Sequence, residues 1–371
     1  MDFALAQEQQ ALAELARAIF KDHVTQERLR ALEADGGWFD EAVWRKLAEA
    51  SLLGVAVPEE HGGAGLGVLE LGILLEEVGR AVAPVPVWAS LVLGALPIAA
   101  FGSAAQRARW LPAAARGEAV LSAALLDLDG RDPLAPTARA ARVGGDWRIT
   151  GVKTCVPAGG RADAVLVPVR RDDGGVGVFL VETSAPGLRR ERQVLTNREP
   201  HARLELDGVV VPASAALGDG DDGARVLAWL HEHALAGLAA MQVGVCDRAL
   251  RMTAEYTIER KQFDRRIASF QAVQQRAADA FIDVEAMRLA AWEALYRLSE
   301  GLPAPQEAAI AKFWAADGGQ RAIVAAQHLH GGIGVDVDYP LHRYFLWAKH
   351  LELMLGPATE QLARLGAALA R

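Results

Sequence analysis

Apolar residues recur along this chain with two different periods, and the period changes twice. In the first stretch Phe3, Leu5, Leu12, Leu15, Ile19 and Phe20 follow a 3.6-residue spacing, which predicts an amphipathic helix. Residues 38–53 repeat the pattern, with Asp40 placed to cap it. The run VPEEHGGAGLG at 56–66 interrupts with Pro and Gly, a helix resumes over 68–80, and 105–116 closes the region. From about 119 to 215 the period shortens. Residues 120–126 form a continuous apolar run, and 137–156 read as two strands around a Gly144-Gly145 turn. ADAVLVPVR, VGVFLVET and ARLELDGVVVP are three further strands by their β-branched content. Helical spacing then returns over 224–259, 270–299, 307–330 and 339–371, long enough to form a bundle. The expected fold class is therefore α+β in three domains: 1–118 all-α, 119–215 a β-sandwich or barrel-like unit, and 216–371 a four-helix bundle.

Length and composition agree with several packed units. The chain has 371 residues, against roughly 100–200 per domain, and is 51% hydrophobic and 23% charged. Its formal charge of −8 disfavours nucleic acid as a bulk partner. Cys155 and Cys246 lie far apart, so they make neither a disulfide framework nor a thiolate metal cluster, and a reducing compartment is expected. The start, MDFALAQEQQ, has no basic segment leading into an apolar core and does not read as a secretory signal. The apolar run 89–101 is broken by Pro97 and is too short to cross a bilayer core of about 30 Å. A soluble, cytoplasmic protein without a membrane span is expected.

Four segments in this order resemble the acyl-CoA dehydrogenase family: LLGVAVPEEHGGAGLG (52–67); Tyr256-xxx-Arg260-x-Gln262-Phe263 continuing to SFQAVQ (269–274); HGGIG (330–334); and YPLHRY (339–344) running toward Gly356. The resemblance spans nearly the whole chain and implies the same helical, β, helical plan. It also implies a chemistry. Such enzymes hold FAD between the β-domain and helices of a neighbouring subunit and act on an acyl-CoA thioester. A carboxylate takes the α-proton while hydride leaves the β-carbon for the flavin, and electrons pass to an electron-transfer flavoprotein or a similar acceptor. Hydrogen bonds must polarise the thioester, because its α-proton is otherwise too weakly acidic.

Mapped residue by residue, the resemblance places Arg260, Phe263 and Gln271 on the FAD of the adjacent subunit, with Arg260 at the pyrophosphate. It adds Gly331, Gly332 and His328, the last standing where the family commonly has Gln. Asp264 replaces a usual Gly. The β-domain departs further. LLDLDGRDPLAP (125–136) lacks the hydroxyl residues of the family's flavin loop, and Cys155 stands where a flavin-packing Trp is expected. Read on its own, Cys155 is a small buried strand residue. The usual base position falls on Leu355, and the alternative one, on the first bundle helix, falls on Ala234. Glu232 and Glu352 are the nearby carboxylates, each expected to be a solvated surface group, as is Glu360. The histidines of HEH (231–233) do not share a helix face, so no metal is expected.

The losses fall on one side: the half-site a subunit builds for itself is degraded, and the half it would lend is kept. The tail YPLHRYFLWAKHLELMLGPATEQLARLG resembles the base-lacking subunits of heteromeric acyl-CoA dehydrogenases that act on steroid side chains, with Leu346 and Trp347 replacing the usual Arg and Asp. A partner subunit that completes a neighbour's FAD site, in a homo- or hetero-oligomer built as a dimer of dimers, is the leading expectation. Two alternatives stay open: a self-sufficient homotetramer with a relocated base, Glu232 or Glu352, and a flavin-free acyl-CoA-binding scaffold.

Overall fold

Asp40 shows how local chemistry starts an element. Its carboxylate accepts from the backbone N–H groups of Ala42 (3.0 Å) and Val43 (3.2 Å), which fixes the first turn of a helix over Glu41–Glu49. In the computed structural model, which describes residues 5–219 and 222–370, the helices before the sheet are α1 (Gln7–His23), α2 (Gln26–Ala34), α3 (Glu41–Glu49), α4 (Val68–Ala81), α5 (Leu96–Phe101) and α6 (Ala104–Ala115). Phe3 and Arg371, taken above into the first and last helices, lie outside the described residues. The apolar run 89–101 is a π-helical segment, Trp88–Ala95, continuous with α5 and almost wholly buried. In α1 the buried face is Leu12, Ala13, Ala16 and Phe20, while Leu15 stays 45% exposed. Alanines rather than the periodic leucine carry that seam.

The strands are β1 (Leu121–Ala123), β2 (Leu126–Asp127), β3 (Arg139–Val143), β4 (Asp146–Pro157), β5 (Ala164–Arg171), β6 (Val176–Glu182), β7 (Leu188–Val194) and β8 (Pro200–Val211). They form one sheet in the order β1-β5-β3-β4-β8-β7, with β2 beside β4 and β6 beside β5. Its core is built from inward residues such as Trp147, Ile149, Val165, Val167, Phe179 and Leu204. The continuous apolar run 120–126 is divided between two short strands. The strand β7, LRRERQV, was not expected at all: only charged and polar residues separate its two apolar ends, and it lies at the end of the sheet order, paired to β8 alone.

The helices after the sheet are α7 (Gly223–Glu259), α8 (Gln271–Ser299), α9 (Pro305–His330), α10 (Leu341–Leu353) and α11 (Ala358–Leu369). The single last helix expected over 339–371 is broken. Leu355 (φ 55°) and Gly356 (φ 99°) are left-handed and Pro357 follows, a sequence no helix continues through. Between α7 and α8 a small hairpin intervenes, β9 (Lys261–Gln262) and β10 (Arg265–Arg266).

The chain divides into two compact units. One comprises Ala31–Gly67 and Pro84–Ala234 and contains the sheet. The other comprises Met1–Arg30, Val68–Ala83 and Leu235–Arg371 and contains the helix bundle. Within the bundle α4 and α7 meet backbone to backbone: a Cβ on Gly79 or Gly244 would collide with the carbonyl of Met241 or of Glu76. The crossing is locked by charge. Arg80 binds Glu76 (2.7 Å), Glu77 (3.1 Å) and Asp247, Arg288 binds Glu76 and Asp247, and Arg17 of α1 binds Glu77 (2.6 Å).

Candidate functional site

Three of the expected residues come from the turn between α7 and α8. Arg260 directly follows α7, and its carbonyl accepts from the Ile267 N–H (2.9 Å), which closes the hairpin on the helix end. The two-residue hairpin loop is Phe263-Asp264, both left-handed at φ 53° and 61°, the conformation a type I′ turn demands. This explains the usual Gly at 264 as a turn requirement, which Asp tolerates. The turn holds Phe263 86% exposed, touched edge-on by Phe270 at 6.1 Å, with Arg265 over the Phe270 ring at 3.9 Å. Arg260, Lys261, Arg265, Arg266 and Gln271 are all exposed beside it. An aromatic ring among four cations suits an aromatic ligand that carries phosphates.

Gly331 and Gly332 are brought to the same end of the bundle. Tyr256, one turn before Arg260, stacks on His330 at 4.5 Å and 18°. The His330 ring also contacts the Ala326 carbonyl (2.8 Å) and the Tyr339 hydroxyl (3.1 Å). The quoted motif residues Tyr256, His330 and Tyr339 thus form a clasp joining the end of α7 to the turn after α9. Gly331 is left-handed (φ 67°) and needs to be glycine for that alone; Gly332 is not. A Cβ on either would meet nothing within 4 Å. No packing inside this chain explains Gly332, whereas close approach by a ligand would. His328 is exposed on the last turn of α9.

Leu355, expected at the base position, is 1% exposed on the α10–α11 turn. The turn is held by buried donors. Gln361 donates to the carbonyls of Leu355 (3.0 Å) and Gly356 (3.2 Å), and Lys312 to those of Glu352 (2.8 Å) and Gly356 (3.0 Å). Lys312 is fully buried, and burial pushes its pKa down to about 7 against the pull of Glu352 and Glu360. Its importance had no signal in the sequence beyond a Lys in an alanine-rich helix. Glu352 is not the solvated surface carboxylate expected: it is half-buried and pairs with Lys349 at 2.7 Å. Glu360 pairs with Arg364 at 3.1 Å. Ala234 is fully buried, and Glu232 is half-buried two residues earlier. His233 stacks on Trp229 at 3.6 Å, its Nδ1 2.8 Å from the Trp229 carbonyl, and burial pushes its pKa down to about 4.

In the sheet unit, the flavin-loop segment is rebuilt around a buried ion pair. Asp127 binds Lys153 at 2.9 Å, and its carboxylate also accepts from the N–H groups of Thr137 (3.2 Å) and Ala138 (3.1 Å). The charges pin the loop at its own base and are not turned toward a ligand. Burial pushes the Lys153 pKa down, and Asp127 opposes this. Cys155 corrects the expectation of a small buried strand residue. It is half-buried and left-handed (φ 49°) at a bulge where the β4–β8 register shifts between Lys153 and Val156. Its N–H donates to Gln193 (2.8 Å), and His201 Nδ1 lies 3.0 Å from its carbonyl. This half-site fits a flavin ring poorly, having a thiol in place of an aromatic face. The bundle surface fits the phosphate-bearing part well.

Three family profiles match the chain: acyl-CoA dehydrogenase N-terminal domain at residues 6–118, middle domain at 128–209 and C-terminal domain at 221–370. Acyl-CoA dehydrogenase FadE27 of Mycobacterium tuberculosis is 41% identical over 378 residues, covering 100% of this chain and 99% of its own. A chain of the ChsE4-ChsE5 complex from Mycobacterium tuberculosis superposes with a TM-score of 0.95 at 42% identity, over 100% of this chain and 99% of that one. A chain of a Tcur3481-Tcur3483 steroid ACAD variant does so with a TM-score of 0.92 at 46% identity, over 98% of each. With the helical, β, helical order and the clasped motifs already in place, these matches make the chain a member of the acyl-CoA dehydrogenase family of FAD-dependent oxidoreductases.

Proposed function

We propose that this chain is the base-lacking partner subunit of a heteromeric acyl-CoA dehydrogenase, and that it completes the FAD site of an unlike, related subunit. The observation that carries this is Gly332, which is glycine without a backbone or packing reason and stands at an open surface clasped to the Arg260–Phe263 turn. Leu355 on the base turn points the same way, since a buried aliphatic side chain takes no proton. Relatives support the heteromeric assembly: the ChsE4-ChsE5 complex and the Tcur3481-Tcur3483 steroid ACAD each name two components. From the latter we take a steroid-type acyl-CoA as the substrate class.

FAD, when bound, accepts the hydride from the acyl β-carbon. This chain's part is positional. Arg260 neutralises the pyrophosphate, Phe263 packs on the aromatic part, Gln271 and His328 supply hydrogen bonds, and the backbone at Gly331-Gly332 allows close approach. The α-proton would be taken by a carboxylate of the unlike subunit, and an electron-transfer flavoprotein or similar acceptor would receive the electrons. The chain works as three domains, 1–118, 119–215 and 216–371, in the cytoplasm. Glu352, already bound to Lys349, gives the relocated-base alternative no support.

The test is co-expression with a related dehydrogenase subunit, reading flavin absorbance and FAD per subunit. The complex should be yellow and active and the lone chain colourless. Gly332→Val, which meets open space and no φ strain, should leave folding intact while lowering flavin occupancy of the complex. A lone chain that holds FAD and oxidises an acyl-CoA would refute the partner role. A complex that stays colourless would instead indicate the flavin-free scaffold.

A further inference from the structure

We propose that Arg139 and Arg170 form a binding site for a phosphate ester on the face of the sheet turned away from its core, with two arginines that take no part in the sites considered above. The two are register partners on the parallel strands β3 and β5, and the Arg170 N–H donates to the Ala138 carbonyl at 2.8 Å. Their neighbours Ala138, Ala140 and Val169 turn into the core, so both arginines leave the opposite face, exposed, from directly opposed register positions. One ladder row runs Thr150, Arg139, Arg170, Val176 across four strands.

Like charges directly opposite each other destabilise a sheet, and several other arginines of this sheet are matched by acids, although Arg148 on β4 is likewise without a partner among the described residues. Arg189 meets Glu205 at 2.8 Å, Arg203 meets Glu191 at 3.4 Å, and Arg171 meets Asp173 at 3.0 Å. Among the described residues, neither Arg139 nor Arg170 has an ion-pair or side-chain hydrogen-bond partner. The nearest acids by sequence, in the β5–β6 turn, are committed elsewhere. Asp172 accepts from the Arg142 N–H (3.0 Å), and Asp173 accepts from the Gly175 N–H (2.9 Å) besides holding Arg171. In a chain of net charge −8, an uncompensated pair of arginines is not a by-product of general basicity.

The pair also has a shaped surrounding. It lines a cavity of about 440 Å³ with Leu134, Pro136, Thr137 and Val176. The loop wall is held in place by Asp127, which fixes the Thr137 N–H, and by an Ala135 N–H bond to the Asp132 carbonyl (3.0 Å). Two guanidinium forks match a phosphate monoester, which takes parallel hydrogen bonds from each, and the apolar wall accepts the organic part. The source of the phosphate is either the coenzyme A moiety of the substrate or a separate phosphorylated metabolite.

The probes are inorganic phosphate and adenosine 3′,5′-bisphosphate, titrated calorimetrically into the full chain, alone and with its partner subunit. Saturable binding that weakens with added salt is expected, and Arg139→Gln/Arg170→Gln should weaken it at least about tenfold. Arg139→Lys/Arg170→Lys, which keeps charge but loses the fork, should fall between. Arg260→Gln should leave it unchanged, so that failure of this site and failure of the proposed flavin role read out separately. Competition by coenzyme A would assign the site to the substrate, and its absence to another metabolite. Equal affinity in the double Gln variant with its circular dichroism unaltered, or no saturable binding below about 10 mM, overturns the proposal.

Discussion

Lys312 offers a measurement of how the turn around Leu355 is held. Its ammonium is fully buried, bonded to the carbonyls of Glu352 and Gly356, and its pKa is brought down to about 7. An unfolded lysine titrates at about 10.4, so between pH 7 and about 10 the unfolded chain binds a proton that the folded chain does not. Stability therefore rises with pH across that window, by about 1.4 kcal/mol per unit from this group alone. Lys312→Met removes the titration. It also strips the Glu352 carbonyl of the donor Lys312, at a cost of about 1–3 kcal/mol, while the Gly356 carbonyl keeps Gln361. Near pH 7 the relief of charge burial and the lost bonds largely offset, and the variant should be close to wild type. By pH 9 the wild type has gained about 2–3 kcal/mol that the variant cannot. Urea unfolding of both proteins at pH 7, 8 and 9, followed by far-ultraviolet circular dichroism, gives the difference directly, since all other titrations cancel. Stability curves that stay parallel across that range would show that Lys312 is ionised normally, and the account of the turn would fall.

Asp264→Gly should raise the melting temperature, because the left-handed φ of 61° is strained for Asp and free for Gly, by a few tenths to about 1 kcal/mol in stability. It should also tighten FAD in the complex by removing an acid beside the proposed pyrophosphate contact, read by flavin retention during dialysis. Lys153→Met leaves Asp127 buried and unpaired and should cost about 3–5 kcal/mol by denaturant titration, with the double variant Asp127→Asn/Lys153→Met recovering part of it.

The helical, β, helical order was legible because burial imposes period on sequence, even though α7 is buried on all sides through its middle rather than on one face. What escaped was set by contacts rather than period. Strand β7 is charged along most of its length, and its pairing to β8 decides its conformation where its composition argues against a strand. The α10–α11 break escaped because Leu355 carries no turn signal of its own. A leucine stays left-handed there only because Lys312, far earlier in the chain, and Gln361 tie the surrounding carbonyls. Cys155 followed the same logic: its strand position was readable, but its left-handed bulge depends on Gln193 from another strand.

The candidate site divides along the same line. Arg260, Phe263 and Gly331 could be picked out by motif because local geometry fixes them: a helix end, a two-residue turn, a left-handed exit. The Asp127–Lys153 pair could not, since its partners lie 26 residues apart and only folding shows that the loop serves itself. That difference bears on function. A turn that holds Leu355 rigidly in a conformation leucine disfavours keeps its frame at the position where the resemblance expects a base, which under the proposal has lost its proton acceptor. Retaining the frame makes physical sense if the turn still has to pack correctly in an assembly whose chemistry, as proposed, is done by another chain.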